Sequence, residues 1–156
     1  MAAAEIPIAA DRQTGIRTMG DRQGKVRVLL AQFPLETHSR GLLTVAGMLS
    51  DEGMEVVLLG NASPERIVEA AVQEDADVIG ISTYCSGELV LAADLMNAAE
   101  RQETRQRTIF LIGGIFPPDN APKLREMGFS GVFPPSSTRE QITSCIRNAL
   151  VARRER

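Results

Sequence analysis

The sequence predicts an α/β domain in which a five-stranded parallel sheet carries helices on both faces. Three observations predict it. Short apolar runs of strand length alternate with segments of helical period from about residue 25 to the C-terminus. The runs are rich in Val, Ile, Leu and Ala, as strands buried on both faces require. Aromatics are scarce (five Phe, one Tyr, no Trp) in a chain that is 44% hydrophobic, which suits an aliphatic core.

Residues 1–24 are polar and aperiodic, with Gly15, Gly20 and Gly24, and are expected to form a flexible arm or a tail that clasps a partner. The folded domain then occupies residues 25–156. Residues 26–31 form the first apolar run, and a loop follows. Residues 40–52 have helical period, with Leu42, Leu43, Val45, Ala46 and Leu49 on one face and Gly53 as a C-terminal stop. Residues 55–59 make the second strand, turned by Gly60-Asn61. Ser63 caps the next helix and Pro64 takes its first position; Ile67, Val68, Ala71 and Val72 point inward, and the helix ends near Asp75.

Residues 77–82 are the third strand and 87–102 the third helix, with Leu89, Ala92, Leu95 and Ala99 on one side. Residues 108–112 make the fourth strand, which ends in Gly113-Gly114. Residues 121–127 form a short helix closed by Gly128, residues 131–133 a brief fifth strand, and a last helix starts near Thr138. Arg153, Arg154 and Arg156 at its end oppose the helix dipole. This succession predicts a flavodoxin-like, doubly wound sheet of order 2-1-3-4-5 that binds ligands outside the carboxyl ends of its strands.

Composition excludes several classes. A net charge of -3 with scattered arginines argues against nucleic-acid binding, which needs a concentrated basic surface. No segment is apolar for long enough to span a bilayer, and the start Met-Ala-Ala-Ala-Glu lacks a basic secretory leader, so no membrane association is expected and the cytoplasm is the expected compartment. Asn61-Ala62-Ser63 matches a glycosylation acceptor but carries little weight without an export signal. Cys85 and Cys145 are too far apart for a Cys-x-x-Cys zinc or redox motif.

The strand-end loops carry the chemistry. His38, the only histidine, lies in Gln32-Phe33-Pro34-Leu35-Glu36-Thr37-His38-Ser39-Arg40-Gly41, after the first strand. The spacing is Glu-x-His-x-x-Gly. An imidazole so placed can bind a metal through one nitrogen while the other donates to a carboxylate. Taken alone, a single loop histidine is more often a solvated side chain, because metal sites usually cluster several ligands. Receiver chemistry is excluded: where acids, an aspartate and a lysine would be needed, this chain has Gln32, Ser82-Thr83 and Pro134-Pro135. Pro34-Leu35-Glu36-Thr37 is no flavodoxin phosphate loop, and neither a Gly-x-Gly-x-x-Gly nor a Walker loop follows a strand.

Four motifs in order carry a resemblance: Glu36-Thr37-His38-Ser39-Arg40-Gly41, Ser82-Thr83-Tyr84 after Ile79-Gly80-Ile81, Gly113-Gly114-Ile115-Phe116-Pro117-Pro118, and Glu126-Met127-Gly128-Phe129-Ser130-Gly131-Val132-Phe133. Over residues 25–150 the chain resembles the cobalamin-binding domain of the acyl-CoA mutases, the family of methylmalonyl-CoA mutase. The family's corresponding patterns are Asp-x-His-x-x-Gly, Ser-x-Leu, and Gly-Gly followed by an apolar pair and Pro-Pro. The resemblance implies a cobalamin bound with its dimethylbenzimidazole tail detached and buried beside the sheet, with His38 as the cobalt ligand. It places the cofactor against Glu36, Thr37, His38, Ser39, Arg40 and Gly41 of the first loop and against Ser82, Tyr84 and Ser86 of the second. Gly113, Gly114 and Ile115 of the third loop and Phe133 and Pro134 of the last complete the expected site. Gly113 and Gly114, lacking Cβ atoms, would let a flat tail lie against backbone. Taken alone, Gly-Gly is more often an ordinary strand-ending turn, and Ser82-Thr83 an ordinary cap.

Three departures stand out. Glu36 replaces the family's aspartate, which re-aims its hydrogen bond to His38, and Tyr84 replaces leucine beside the tail. Pro134-Pro135-Ser136-Ser137 replaces Gly-Pro-Gly-Thr, so cobalamin binding is expected to be retained in altered form. The resemblance implies the small subunit of a two-chain, adenosylcobalamin-dependent acyl-CoA carbon-skeleton mutase, an isomerase whose radical 1,2-rearrangement occurs on a substrate held by a separate large subunit. No residue of this chain is expected to do acid–base work on substrate. Two other readings stay open: a corrinoid protein for methyl transfer, and a non-catalytic cobalamin-sensing or assembly module.

Overall fold

A computed structural model describes residues 24–84 and 86–156; the arm expected at residues 1–24 lies outside the described residues except for Gly24. Among the described residues ten elements alternate: β1 (Arg27–Gln32), α1 (Arg40–Asp51), β2 (Glu55–Asn61), α2 (Pro64–Gln73), β3 (Val78–Thr83), α3 (Glu88–Arg101), β4 (Ile109–Gly114), α4 (Asn120–Met127), β5 (Gly131–Phe133) and α5 (Arg139–Arg154). The strands are parallel and ordered β2-β1-β3-β4-β5, as the sequence predicts.

Alternation along each strand divides the core in two. Leu29, Ala31, Ile79, Ile81, Phe110 and Ile112 face α2, α3 and α4, whereas Val28, Leu30, Val78, Ile109 and Leu111 face α1 and α5. Connections leave β1 toward β2 and β3 toward β4, so the loops after β1 and β3 diverge and open a crevice between neighbouring strand ends.

Helix ends follow local chemistry. The Ser63 Oγ accepts from the Arg66 N–H at 3.3 Å with Pro64 at the first position of α2, and Thr138 and Gln141 form a capping box at α5. After α1, the Gly53 N–H donates to the Ser50 carbonyl and the Met54 N–H to the Leu49 carbonyl, with Gly53 at φ 83°. This arrangement needs a left-handed residue. A Cβ at Gly53 would meet nothing within 4 Å, so Gly53→Ala carries only the backbone cost, about 1 kcal/mol. A urea titration checks this, and a loss above about 2 kcal/mol would point to an unseen packing role.

Several expectations need correction. Leu43 and Val72, expected inside, are exposed. The buried stripe of α1 is Leu42, Ala46 and Leu49, and Leu43 lies about 100° round the helix from Leu42. In α2, Ala70 takes the buried place assigned to Val72. Gly60-Asn61 is not a turn: β2 continues through both, with a register shift against Leu30/Ala31 of β1. Gly113-Gly114 also belongs to its strand, with Gly114 paired to Thr83 of β3. Arg153 does more than oppose a dipole, since its guanidinium donates to the Arg107 carbonyl and lies 3.5 Å from Asp77. No described helix is long and apolar enough to cross a membrane.

Candidate functional site

The loop after β1 is built around a buried carboxylate. Pro34 and Leu35 form a tight turn closed by the Glu36 N–H donating to the Phe33 carbonyl at 3.2 Å, and Leu35 sits at φ 67°, where a glycine is usual. That turn sends the Glu36 side chain inward, leaving the residue 4% exposed. Glu36 Oε1 accepts from the His38 N–H at 2.9 Å and lies 2.8 Å from His38 Nδ1; Oε2 accepts from the Tyr84 N–H at 2.6 Å. The extra methylene of Glu36 therefore does not cost the imidazole contact, and it lets one carboxylate join the β1 and β3 loops.

A carboxylate that accepts from these groups requires the proton of His38 on Nδ1. Nε2 then carries the lone pair, on a side chain that is 64% exposed. The Tyr84 ring flanks the imidazole, with centroids 5.3 Å apart and planes tilted by 35°. Two residues that sequence reasoning missed hold the loop from below. Gln32 Nε2 donates to the His38 carbonyl at 2.7 Å, and Asn61 Nδ2 donates to the carbonyls of Glu36 at 2.6 Å and Phe33 at 3.1 Å. The register shift beside Gly60 places Asn61 at this strand end, facing the loop. The only local signal was an amide side chain ending an apolar strand.

Beside His38 a groove of about 460 Å³ enters between α1 and the sheet. Its walls include Leu42, Val45 and Leu49 of α1 and Leu30, Leu111 and Ile142 from the sheet and α5. His38, Arg40, Gly41, Ser82, Tyr84, Gly113, Gly114, Phe133 and Pro134, all expected at the site, line it together with Pro135 and Ser137. The proline-rich last loop thus forms part of the wall of an open groove. Ser82 is 8% exposed, and its hydroxyl makes no hydrogen bond among the described residues. Ser39 makes no side-chain cap and no acid stands in the first turn of α1, so the positive end of that helix is left without a side-chain counterpart beside Arg40 and Gly41.

Other expected residues fall elsewhere. Thr37 and Ser39 are exposed and lie outside the groove wall. Ser86 and Ile115 line a second cavity, which shares only Tyr84 with the first. Gly114 has a reason of its own: at φ 138°, its Cβ would stand 1.7 Å from the Thr83 carbonyl oxygen. Close strand packing therefore demands that glycine with or without a ligand. Gly41 is likewise matched to Tyr84, whose hydroxyl would lie 2.8 Å from an added Cβ.

This doubly wound fold is shared by solved cobalamin-binding and response-regulator proteins, and the sequence decides between them. Residues 26–142 match the model of the B12 binding domain, and the chain belongs to that family. It is 33% identical over 132 residues to the 2-hydroxyisobutanoyl-CoA mutase small subunit of Aquincola tertiaricarbonis, covering 84% of this chain and 96% of that one. It is 35% identical over 122 residues to the pivalyl-CoA mutase small subunit of Xanthobacter autotrophicus, covering 78% and 81% respectively. Among solved structures, a cobalamin-binding protein from Desulfitobacterium hafniense aligns with a TM-score of 0.69 at 18% identity, over 80% of this chain and 58% of that one. The likeness to that structure concerns the fold, and the relatives to which the chain is similar in sequence include both mutase small subunits and the much longer methylmalonyl-CoA mutase of Escherichia coli, 30% identical over 120 residues that cover 76% of this chain and 17% of that one.

Proposed function

We propose that this chain is the cobalamin-binding small subunit of a two-chain, adenosylcobalamin-dependent acyl-CoA mutase. The observation that carries the reading is the pairing of an outward His38 Nε2, held by buried Glu36, with an apolar groove opening directly beside it. The residues present fit the cofactor. Among the described residues no three His, Cys, Asp or Glu side chains cluster as a metal cage, which suits a metal that arrives inside a macrocycle and needs one protein ligand. The groove offers aliphatic walls for a detached heterocyclic base, and buried Ser82 offers a hydroxyl with no other partner among the described residues. Arg40 and the positive end of α1 suit the phosphate of the nucleotide tail.

When bound, adenosylcobalamin supplies the radical chemistry of a 1,2-rearrangement. The chain's own contribution is to hold and tune. His38 presents Nε2 as the ligand, Glu36 fixes its tautomer, and Gln32 and Asn61 fix the loop backbone beneath them. Substrate acyl-CoA belongs to a separate large subunit seated over the strand ends, and the pair works in the cytoplasm.

The test adds adenosylcobalamin to the purified chain, alone and with its large subunit, and records the absorbance spectrum for wild type and His38→Ala. A tail-detached, histidine-ligated spectrum in wild type that disappears in the variant is expected. Cofactor that wild type fails to retain on gel filtration under both conditions would overturn the reading.

A further inference from the structure

Sharing Tyr84 with the groove, a second and more open cavity of about 350 Å³ lies between the loops after β3 and β4. Glu88, the first residue of α3, lies in its wall and is only 6% exposed. Among the described residues its side chain has one partner, Asn120 Nδ2 of α4, which donates to Oε1 at 2.6 Å, and no Arg, Lys or His pairs with it. The positive end of α3 offsets part of the charge. A single neutral amide is nevertheless thin compensation for a carboxylate so far removed from water, since buried charges are ordinarily paired.

The cavity has an apolar collar. Val90 is 67% exposed and Ile115 59%, and both line it; Leu35, at 90%, stands at the same end of the sheet after β1. Exposed aliphatic side chains around a buried, only partly compensated charge have the composition of a protein interface with one anchoring contact at its centre. We propose that this cavity receives a lysine or arginine side chain of the large subunit, with the Glu88 carboxylate as its counter-charge and Val90 and Ile115 packed against its aliphatic stem. The proposal rests on the two-chain reading above. Charge complementarity favours a cationic side chain over a neutral amide of the cofactor's rim, because only a cation balances the carboxylate.

Glu88→Gln is the informative variant. It keeps the size and an oxygen that can still accept from Asn120, and it removes only the charge. Assembly of wild type, Glu88→Gln and Val90→Ser with the large subunit would be titrated by sedimentation, and adenosylcobalamin binding to each chain alone would be followed by absorbance. Glu88→Gln is expected to weaken assembly on the order of tenfold or more, with a shallower salt dependence. Val90→Ser should weaken it a few-fold, and cofactor binding to the isolated chain should not change. Wild type assembling no better than Glu88→Gln would overturn the proposal while leaving the two-chain reading intact. A loss of cofactor binding by Glu88→Gln alone would assign the cavity to the corrin and overturn it too. Failure of wild type to assemble at all would overturn the two-chain reading and this proposal with it.

Discussion

Gly114→Ala is expected to destabilise the fold by roughly 3 kcal/mol or more, whereas Gly113→Ala, one residue earlier, is expected to cost about 1 kcal/mol. The two glycines are adjacent in one strand, and composition cannot separate them. Their surroundings can. A Cβ at Gly113 would lie 3.3 Å from the Phe133 carbonyl oxygen, a tight contact that a shift of a few tenths of an ångström relieves. At Gly114 the Cβ would fall 1.7 Å from the Thr83 carbonyl oxygen and 2.7 Å from its carbon, both backbone atoms of the paired strand. The residue is also at φ 138°, outside the range that alanine adopts without strain. Relief requires β3 and β4 to part at their carboxyl ends, where the Ile115 N–H donates to the Thr83 carbonyl at 3.1 Å. Because Ser82 and Gly113 at that end line the groove, cofactor binding should fall together with stability. Urea titrations of both variants measure the difference. Equal midpoints would mean that the strand ends are loose enough to absorb the clash, and the steric account of Gly114 would fail.

The same pair shows what the sequence conceals. Read locally, Gly-Gly at the end of an apolar run is a turn, yet here it continues the sheet because Thr83 lies alongside it. The fold class was legible because its signals are local: apolar runs of strand length, Ser63-Pro64 opening α2, and Gly53 closing α1. Leu43 and Val72 were misplaced because an apolar helix face reads wider in sequence than the stripe the sheet covers. At the site, the Glu36–His38 pair spans two positions and could be read directly. The Tyr84 N–H, 48 residues from Glu36, and Asn61, 25 residues away, could not, since their contacts depend on how strand ends align.

Glu36 is where those local and distant contacts meet, so its replacement is expected to weaken cofactor binding strongly although it does not touch the cobalt itself. Glu36→Ala leaves the His38 N–H, His38 Nδ1 and the Tyr84 N–H without the buried carboxylate that accepts from them. Each unsatisfied buried donor costs about 1–3 kcal/mol unless the loop opens to water, so the loop is expected to open. With Nδ1 no longer committed, the imidazole tautomer becomes mixed, and affinity for adenosylcobalamin should fall on the order of tenfold to a hundredfold. Glu36→Asp separates the two functions of the side chain. One methylene shorter by roughly 1.5 Å, it cannot span from His38 to the Tyr84 N–H, so it should keep the tautomer and lose the tie between the loops. The imidazole ¹⁵N shifts of the cofactor-free chain report the tautomer, and an absorbance titration reports affinity. An Nδ1-protonated ring in Glu36→Ala, with affinity within about twofold of wild type, would show that the carboxylate does not hold the histidine. A mixed tautomer in Glu36→Asp would show that reach to Tyr84, rather than charge beside Nδ1, is what orients the ring.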